Sequence, residues 1–271
     1  MLELPEVLTL SRQLDKELRG RTIASAGQGN SPHKFAFFRP SAGEFAKALP
    51  GKKVVAVRGD GKCILFELRP SAFFCIAEMD GRVLFHARGA ELPSRYQMLM
   101  EFKDGTALTA TVGLWGFFGA GGAAPPMPVG QTKTIDPLGI DFTLARLEQL
   151  FAEYPKPNHA IKAFLINRPR LRGFGNGYMQ EMLFHAGILP TRKVASIDRE
   201  ERRRLHRAIR QVLAEATRKG GSADACDIYG RAGRYVKALG ARVKACRVCG
   251  TPTGKKAFLG GATYYCPRCQ T

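Results

Sequence analysis

The sequence predicts an α+β chain of several domains: a leading helix on an antiparallel β-sandwich, then a helical domain, then a small C-terminal module. Three observations carry this. Between residues 53 and 112, short apolar or alternating segments are separated by Asp60-Gly61, Asp80-Gly81 and Asp104-Gly105, dipeptides that suit tight hairpin turns. From about residue 138 the apolar spacing changes to the three-and-four-residue period of amphipathic helices. The last 26 residues then hold four of the chain's seven cysteines, in two Cys-x2-Cys pairs.

Taken in order, Val7, Leu10, Leu14 and Leu18 form the stripe of an amphipathic helix that Gly20 ends. Strands are expected over 53–58, 62–68, 73–78, 82–87, 96–102 and 107–112, enough for a sandwich or barrel. Residues 119–130 are rich in Gly, Ala and Pro and read as a linker. Thr143 caps a helix with Leu144, Leu147, Leu150 and Phe151 on its apolar face, and a second helix covers about 159–167 before Arg168-Pro169. A third follows Gly175-Asn176-Gly177, and a long fourth spans about 196–219 with Leu205, Ile209, Val212 and Ala216 on one face. The expected domains are 1–125, 138–225 and 240–271.

Composition bounds the function. The 271 residues are 45% hydrophobic and 24% charged, so a packed core is feasible, and no apolar run approaches the ~18–20 residues of a membrane span. The N-terminus is acidic and patterned like the start of a helix rather than a targeting signal, which makes the cytoplasm the expected compartment. A net charge of +19 favours a polyanion, because neutralised phosphates release condensed counterions. Charge alone ranks nucleic acid above membrane or acidic protein and does not choose DNA over RNA.

Cys246-x2-Cys249 and Cys266-x2-Cys269 are separated by 16 residues, the spacing of a closed tetrahedral zinc site. Four thiolates leave no open coordination position, so one structural zinc ion is expected, holding a hairpin over 258–265 with a Gly-Gly tip. Cys63 and Cys75 fall in apolar strands and read as inert core. Arg172-Gly173-Phe174-Gly175-Asn176-Gly177-Tyr178 precedes a helix; it either cradles a phosphate on backbone amides or simply turns the chain.

Together these pieces resemble the Fpg/Nei (formamidopyrimidine-DNA glycosylase/endonuclease VIII) family. Leu2-Glu3-Leu4-Pro5-Glu6-Val7 is similar to the family's Pro-Glu-Leu-Pro-Glu-Val start. Gly175-Asn176-Gly177-Tyr178 with Glu181, Leu183-Phe184, Ala186-Gly187-Ile188 and Pro190 resembles its helix-two-turn-helix signature, and residues 246–270 resemble its zinc-finger tail. The resemblance implies DNA, bearing a lesion, as the partner; no membrane is implied, and a monomer is expected. It also implies excision of a flipped-out damaged base and cleavage of the abasic strand, with an N-terminal proline amine as nucleophile. Glu3 then matches the catalytic acid/base and Glu6 the second glutamate. Lys62 and Asn176 match residues at the DNA phosphates, Lys162 aligns with a further family lysine and is expected at DNA, and Met79 matches the residue that fills the gap left by the flipped base. Each has an ordinary alternative: Glu3 and Glu6 as acids at a helix N-terminus, Met79 as core.

The sequence departs from that pattern in three places. Leu2 stands where the nucleophilic proline is expected, and Met1, which is retained before a large residue, carries the terminal amine one position out. Gly261, five residues before Cys266, replaces a zinc-hairpin arginine. The family's Asp-Pro-Arg-Arg-Phe-Gly segment corresponds to Val112-Gly113-Leu114-Trp115-Gly116-Phe117, where Trp115 and Phe117 either stack on bases or close the sandwich. The expected function is a base-excision N-glycosylase, with or without strand cleavage, the alternative being a catalytically altered or inactive lesion-binding zinc protein. A basic zinc-ribbon adaptor would instead bind intact duplex as well as abasic DNA.

Overall fold

The computed structural model describes residues 1–122, 135–166, 171–173 and 175–271. The chain divides into two compact units, Met1–Gln131 with Lys219–Arg234, and Thr132–Arg218 with Tyr235–Thr271.

In the first unit, helix α1 (Leu4–Leu18) begins at a capping box in which the Glu3 and Glu6 side chains each face the other's backbone amide, and Pro5 lies in the first turn, where its missing N–H costs nothing. Gly20, with φ of +85°, ends it. The α1 stripe Val7, Leu10, Leu14 and Leu18 is wholly buried against strands β3 (Lys53–Asp60) and β4 (Cys63–Arg69). These belong to a five-stranded sheet ordered β2-β9-β5-β4-β3, with β2 at Ala36–Arg39, β5 at Ala72–Ala77 and β9 at Gly116–Gly121. The second sheet is ordered β1-β7-β8-β6, from Ile23–Gln28, Met98–Phe102, Ala107–Val112 and Gly81–His86. One apolar core joins α1 to both sheets, with Phe66, Phe74 and Phe118 meeting Met98, Met100 and Leu108. Short helix α2 (Ala42–Ala48) adds Phe45, which meets Phe38 and Phe74 edge-on.

The sandwich is therefore as expected, with two differences. Strand β2 runs parallel to β9, unlike every other pair in the two sheets. Residues 119–121 belong to β9 rather than to a linker: Gly119 pairs with Arg39 of β2, and Gly119, Ala120 and Gly121 pair with Cys75, Phe74 and Phe73 of β5. The rest of the expected linker, 123–130, lies outside the described residues. Cys63 and Cys75 form a buried pair beside Ala77, and their mutual hydrogen bond together with burial pushes the Cys63 thiol far up, which agrees with an inert core role.

The second unit holds α3 (Leu144–Ala152), capped by Thr143, α4 (Ile161–Ile166), α5 (Asn176–Ala186) and α6 (Arg199–Arg218). The end of the second expected helix, with Arg168-Pro169, lies outside the described residues. The α6 residues Leu205, Ile209, Val212 and Ala216 are buried, and α6 packs on α3 and α5. Strands β10 (Gly254–Ala257) and β11 (Ala262–Tyr265) form the C-terminal hairpin. Its tip is Leu259-Gly260, both left-handed at φ of 48° and 75°, and not the glycine pair 260–261.

Candidate functional site

In the first unit the chemistry gathers on the turn Glu78–Gly81, between β5 and β6. Two unusual backbone conformations hold it: Glu78 is left-handed (φ 47°), and Gly81 has φ of 152° with the Thr111 carbonyl where a Cβ would sit. The Glu78 amide donates to the Lys62 carbonyl (3.1 Å), and the Lys62 ammonium pairs with the Glu78 carboxylate (3.1 Å). The Asp80 amide donates to the Trp115 carbonyl (2.8 Å), while the Gly113 amide donates to the Asp80 carbonyl (2.7 Å).

The N-terminus lies across this turn. The Leu2 side chain is buried in the sandwich core, and its nitrogen is an ordinary peptide amide donated to the Met79 carbonyl at 2.7 Å. A nucleophile is thus not available at position 2. The terminal amine, on Met1, donates instead to Asp80 Oδ1 at 2.5 Å, with side chains 45% and 29% exposed. Behind it, Glu3 and Glu6 are buried at the start of α1. Both Glu6 oxygens hold backbone: Oε2 accepts from the Glu3 amide (3.2 Å), and Oε1 from the Ser222 amide (2.8 Å).

Ser222 belongs to the returning segment Lys219–Arg234, which the sequence did not assign to this unit. Gln13 Nε2 donates to Asp227 (3.0 Å), Tyr229 Oη to Glu17 (2.7 Å), and the Phe85 amide to the Ile228 carbonyl (2.9 Å), so α1 and β6 fix the segment in place. Gly221 is needed at the contact with Glu6: its φ is +93°, and a Cβ would lie 3.1 Å from Glu6 Oε1. The result is an open pocket of about 400 Å³, lined by Met1, Leu2, Asp80 and Arg82 on one side of the sequence and Ala223–Cys226 on the other.

The other expected residues of this unit divide. Met79, expected as the gap-filling residue, is wholly buried in the core. Trp115 remains 43% exposed beside Phe35 and Phe37, with ring centroids 6.2 and 4.5 Å away. Phe117 is half-buried against Cys63, Cys75 and Ala77 and closes the sheet, which removes it from a stacking surface. Leu114, on the same turn, is 73% exposed.

In the second unit the four cysteine sulfurs lie within 4.8 Å of one another. The Cys246–Cys269 and Cys249–Cys266 sulfur distances are 3.8 and 3.5 Å, against the ~3.8 Å edge of a tetrahedron with ~2.3 Å zinc–sulfur bonds. The donor set fits one structural zinc. Lys162, expected at DNA, is entirely buried: its ammonium donates to the Phe258 carbonyl (2.5 Å) and Thr263 Oγ1 (2.9 Å), and desolvation holds its pKa below the usual lysine range. These bonds fasten α4 to the hairpin. Gln180 Oε1 takes the Tyr264 amide (2.5 Å), and the Glu181 carboxylate takes the amides of Ala238 and Leu239 (2.9 Å each), tying α5 to the zinc module. Asn176 opens α5, and a Cβ at Gly261 would lie 2.7 Å from its Nδ2, so the glycine lets the hairpin approach that side chain.

Sequence models of known domains match in the same order. The formamidopyrimidine-DNA glycosylase N-terminal domain matches residues 1–111, its H2TH domain residues 134–226, and the zinc finger found in FPG and IleRS residues 244–271. The formamidopyrimidine-DNA glycosylase of Shouchella clausii is 32% identical over 100% of this chain and 99% of its own, and that of Bacillus subtilis 30% over 100% and 99%. The crystal structure of Lactococcus lactis Fpg with DNA containing N7-benzyl-Fapy-dG superposes with a TM-score of 0.84 at 26% identity, covering 99% of each chain. That of Thermus thermophilus Fpg does so with 0.83 at 27%, covering 99% of this chain and 98% of the other. By ancestry, domain order and fold, the chain belongs to the formamidopyrimidine-DNA glycosylase family.

Proposed function

We infer that the chain is a DNA glycosylase of base excision repair, acting on damaged DNA with the Met1 amine, in place of a proline, as its nucleophile. The observation that carries this is the terminal amine at the mouth of a pocket beside the sandwich, held by Asp80 and backed by Glu3 and Glu6. The pocket has the size of small-ligand sites and takes the flipped base. The amine attacks the sugar C1′, and Glu3 supplies acid/base chemistry to the sugar and the departing base. Glu6 is a positioning residue, since its oxygens join α1 to Ser222. Lys62 and Asn176 hold phosphates flanking the lesion, and the net charge of +19 supplies general attraction. Trp115 offers an exposed ring to an unstacked base. Among the described residues no helix is long and apolar enough to cross a membrane. The proposed reading is of a monomer acting in the cytoplasm.

The test pairs intact mass with reductive trapping on abasic DNA. The expected mass includes Met1, and the adduct maps to the N-terminal peptide. Met1 present with no adduct removes Schiff-base chemistry from the terminal amine, and base release from an uncut strand would then assign the work to water.

A second expectation concerns the hairpin. Gly261→Arg, which reintroduces the family's cation, should weaken binding to DNA bearing an abasic analogue by up to about tenfold, or ~1.4 kcal/mol. The new Cβ meets Asn176 Nδ2 at 2.7 Å and pushes that side chain away from its phosphate position. Tighter binding measured by fluorescence anisotropy would show that the two groups are compatible and that this account of Gly261 is wrong.

A further inference from the structure

We propose that Asp80 is the proton carrier for the Met1 amine, taking the protons that the nitrogen must shed to form a Schiff base and delivering them to the departing oxygen. The proposal rests on the reading of Met1 as nucleophile. Neither Asp80 nor its pairing was singled out by the sequence, which presents Asp80-Gly81 only as a turn.

The chemistry demands such a group. Attack needs a lone pair, which an ammonium lacks, so the nitrogen must hand a proton to a neighbouring group before it bonds to carbon. The Asp80 oxygen lies 2.5 Å from that nitrogen, inside the hydrogen-bond reach a proton acceptor requires, and both groups keep access to solvent and to the pocket. The carboxylate is also held independently of the amine. Its backbone is bonded on both sides, to the Trp115 carbonyl and the Gly113 amide, within a turn that Glu78 and Gly81 hold in otherwise costly conformations. The remaining charged or titratable groups around the pair are Arg82 on β6, Asp224 and Cys226 on the returning segment, and the Lys62–Glu78 pair at the start of the turn.

The step balances. The Met1 ammonium gives one proton to Asp80, and its freed lone pair forms the N–C1′ bond to the aldehyde of an opened abasic sugar. The Asp80 carboxyl protonates the resulting alkoxide, accepts a second proton from the nitrogen, and passes that proton to the hydroxyl as the C1′–O bond breaks. One water leaves, the nitrogen becomes an iminium, and Asp80 is again a carboxylate beside the new cation. No oxidant or reductant is involved.

The test measures the rate of cyanoborohydride trapping on preformed abasic DNA between pH 5.5 and 9. With Asp80 in place the reactive species is the ammonium–carboxylate pair, so the wild-type rate should be nearly flat from pH 6 to 8. An amine that must first lose its proton to solvent would instead slow by about tenfold for each unit the pH falls. Asp80→Asn should react about 100-fold more slowly at pH 6–7 and recover toward pH 9. Asp80→Glu, which restores a carboxylate, should restore the flat profile even if the rate is lower. An acid limb in the wild type, or an Asp80→Asn profile that overlays it, overturns the proposal. The wild-type profile alone decides between the two even if the variants do not fold. Absence of any wild-type adduct is a separate result: it removes the Met1 nucleophile itself.

Discussion

Glu3→Gln should lower release of a damaged base from duplex DNA by about 100-fold to 10,000-fold, the range a positioned acid/base group contributes. Trapping on preformed abasic DNA should survive. The two outcomes separate because different carboxylates serve the two steps: Glu3 acts on the base and sugar, and Asp80 on the amine. Glutamine keeps the size and one acceptor oxygen of the buried Glu3 side chain, so the box at the start of α1 largely persists. A loss of activity at constant Tm is therefore a chemical loss. Base release by Glu3→Gln at the wild-type rate would leave Glu3 as a helix cap and nothing more.

Removal of zinc, by a strong chelator or by Cys249→Ser, should cost at least about tenfold in affinity for DNA carrying an abasic analogue, or ~1.4 kcal/mol. Metal binding supplies ~10–16 kcal/mol in isolated zinc-finger peptides, and strands as short as β10 and β11 do not persist as a lone hairpin. The damage should spread inward through Lys162. Its ammonium is buried, and its acceptors, the Phe258 carbonyl and Thr263 Oγ1, both belong to the hairpin. When the hairpin loosens, a buried charge loses its partners, which costs several times more than a surface contact. Faster hydrogen exchange in β10, β11 and α4 would report it. Binding that survives complete removal of zinc would refute the structural role of Cys246, Cys249, Cys266 and Cys269.

Much of this was legible from residue order. Asp60-Gly61, Asp80-Gly81 and Asp104-Gly105 do separate strands, and the long helix buries the four residues its period selects. The unread elements lack a period. Strand β1 is Ile-Ala-Ser-Ala-Gly-Gln, β2 has only four residues, and β9 is half glycine, so it looks like a linker until its neighbours are known. The site was legible as a set of residue types but not as a set of contacts. Burial turned Lys162 and Met79 inward, and nothing local to either residue signals it. Met1 meets Asp80 across 79 positions and Glu6 meets Ser222 across 216, separations over which one sequence carries no pairing signal.

The returning segment Lys219–Arg234 carries a practical lesson about what counts as a part of this molecule. A fragment cut after β9 would keep the sandwich and the amine yet lack a wall of its own pocket, and Glu6 would lose its Ser222 partner. The wall is also tied into the sandwich: Gln13, Glu17 and Phe85 bond the segment, and Ile228 is buried in the sandwich core. A different sequence grafted between α6 and Tyr235 would therefore disturb the packing of α1 and β6 along with the pocket wall. The wall and the sandwich, far apart in the gene, are thus constrained to change together.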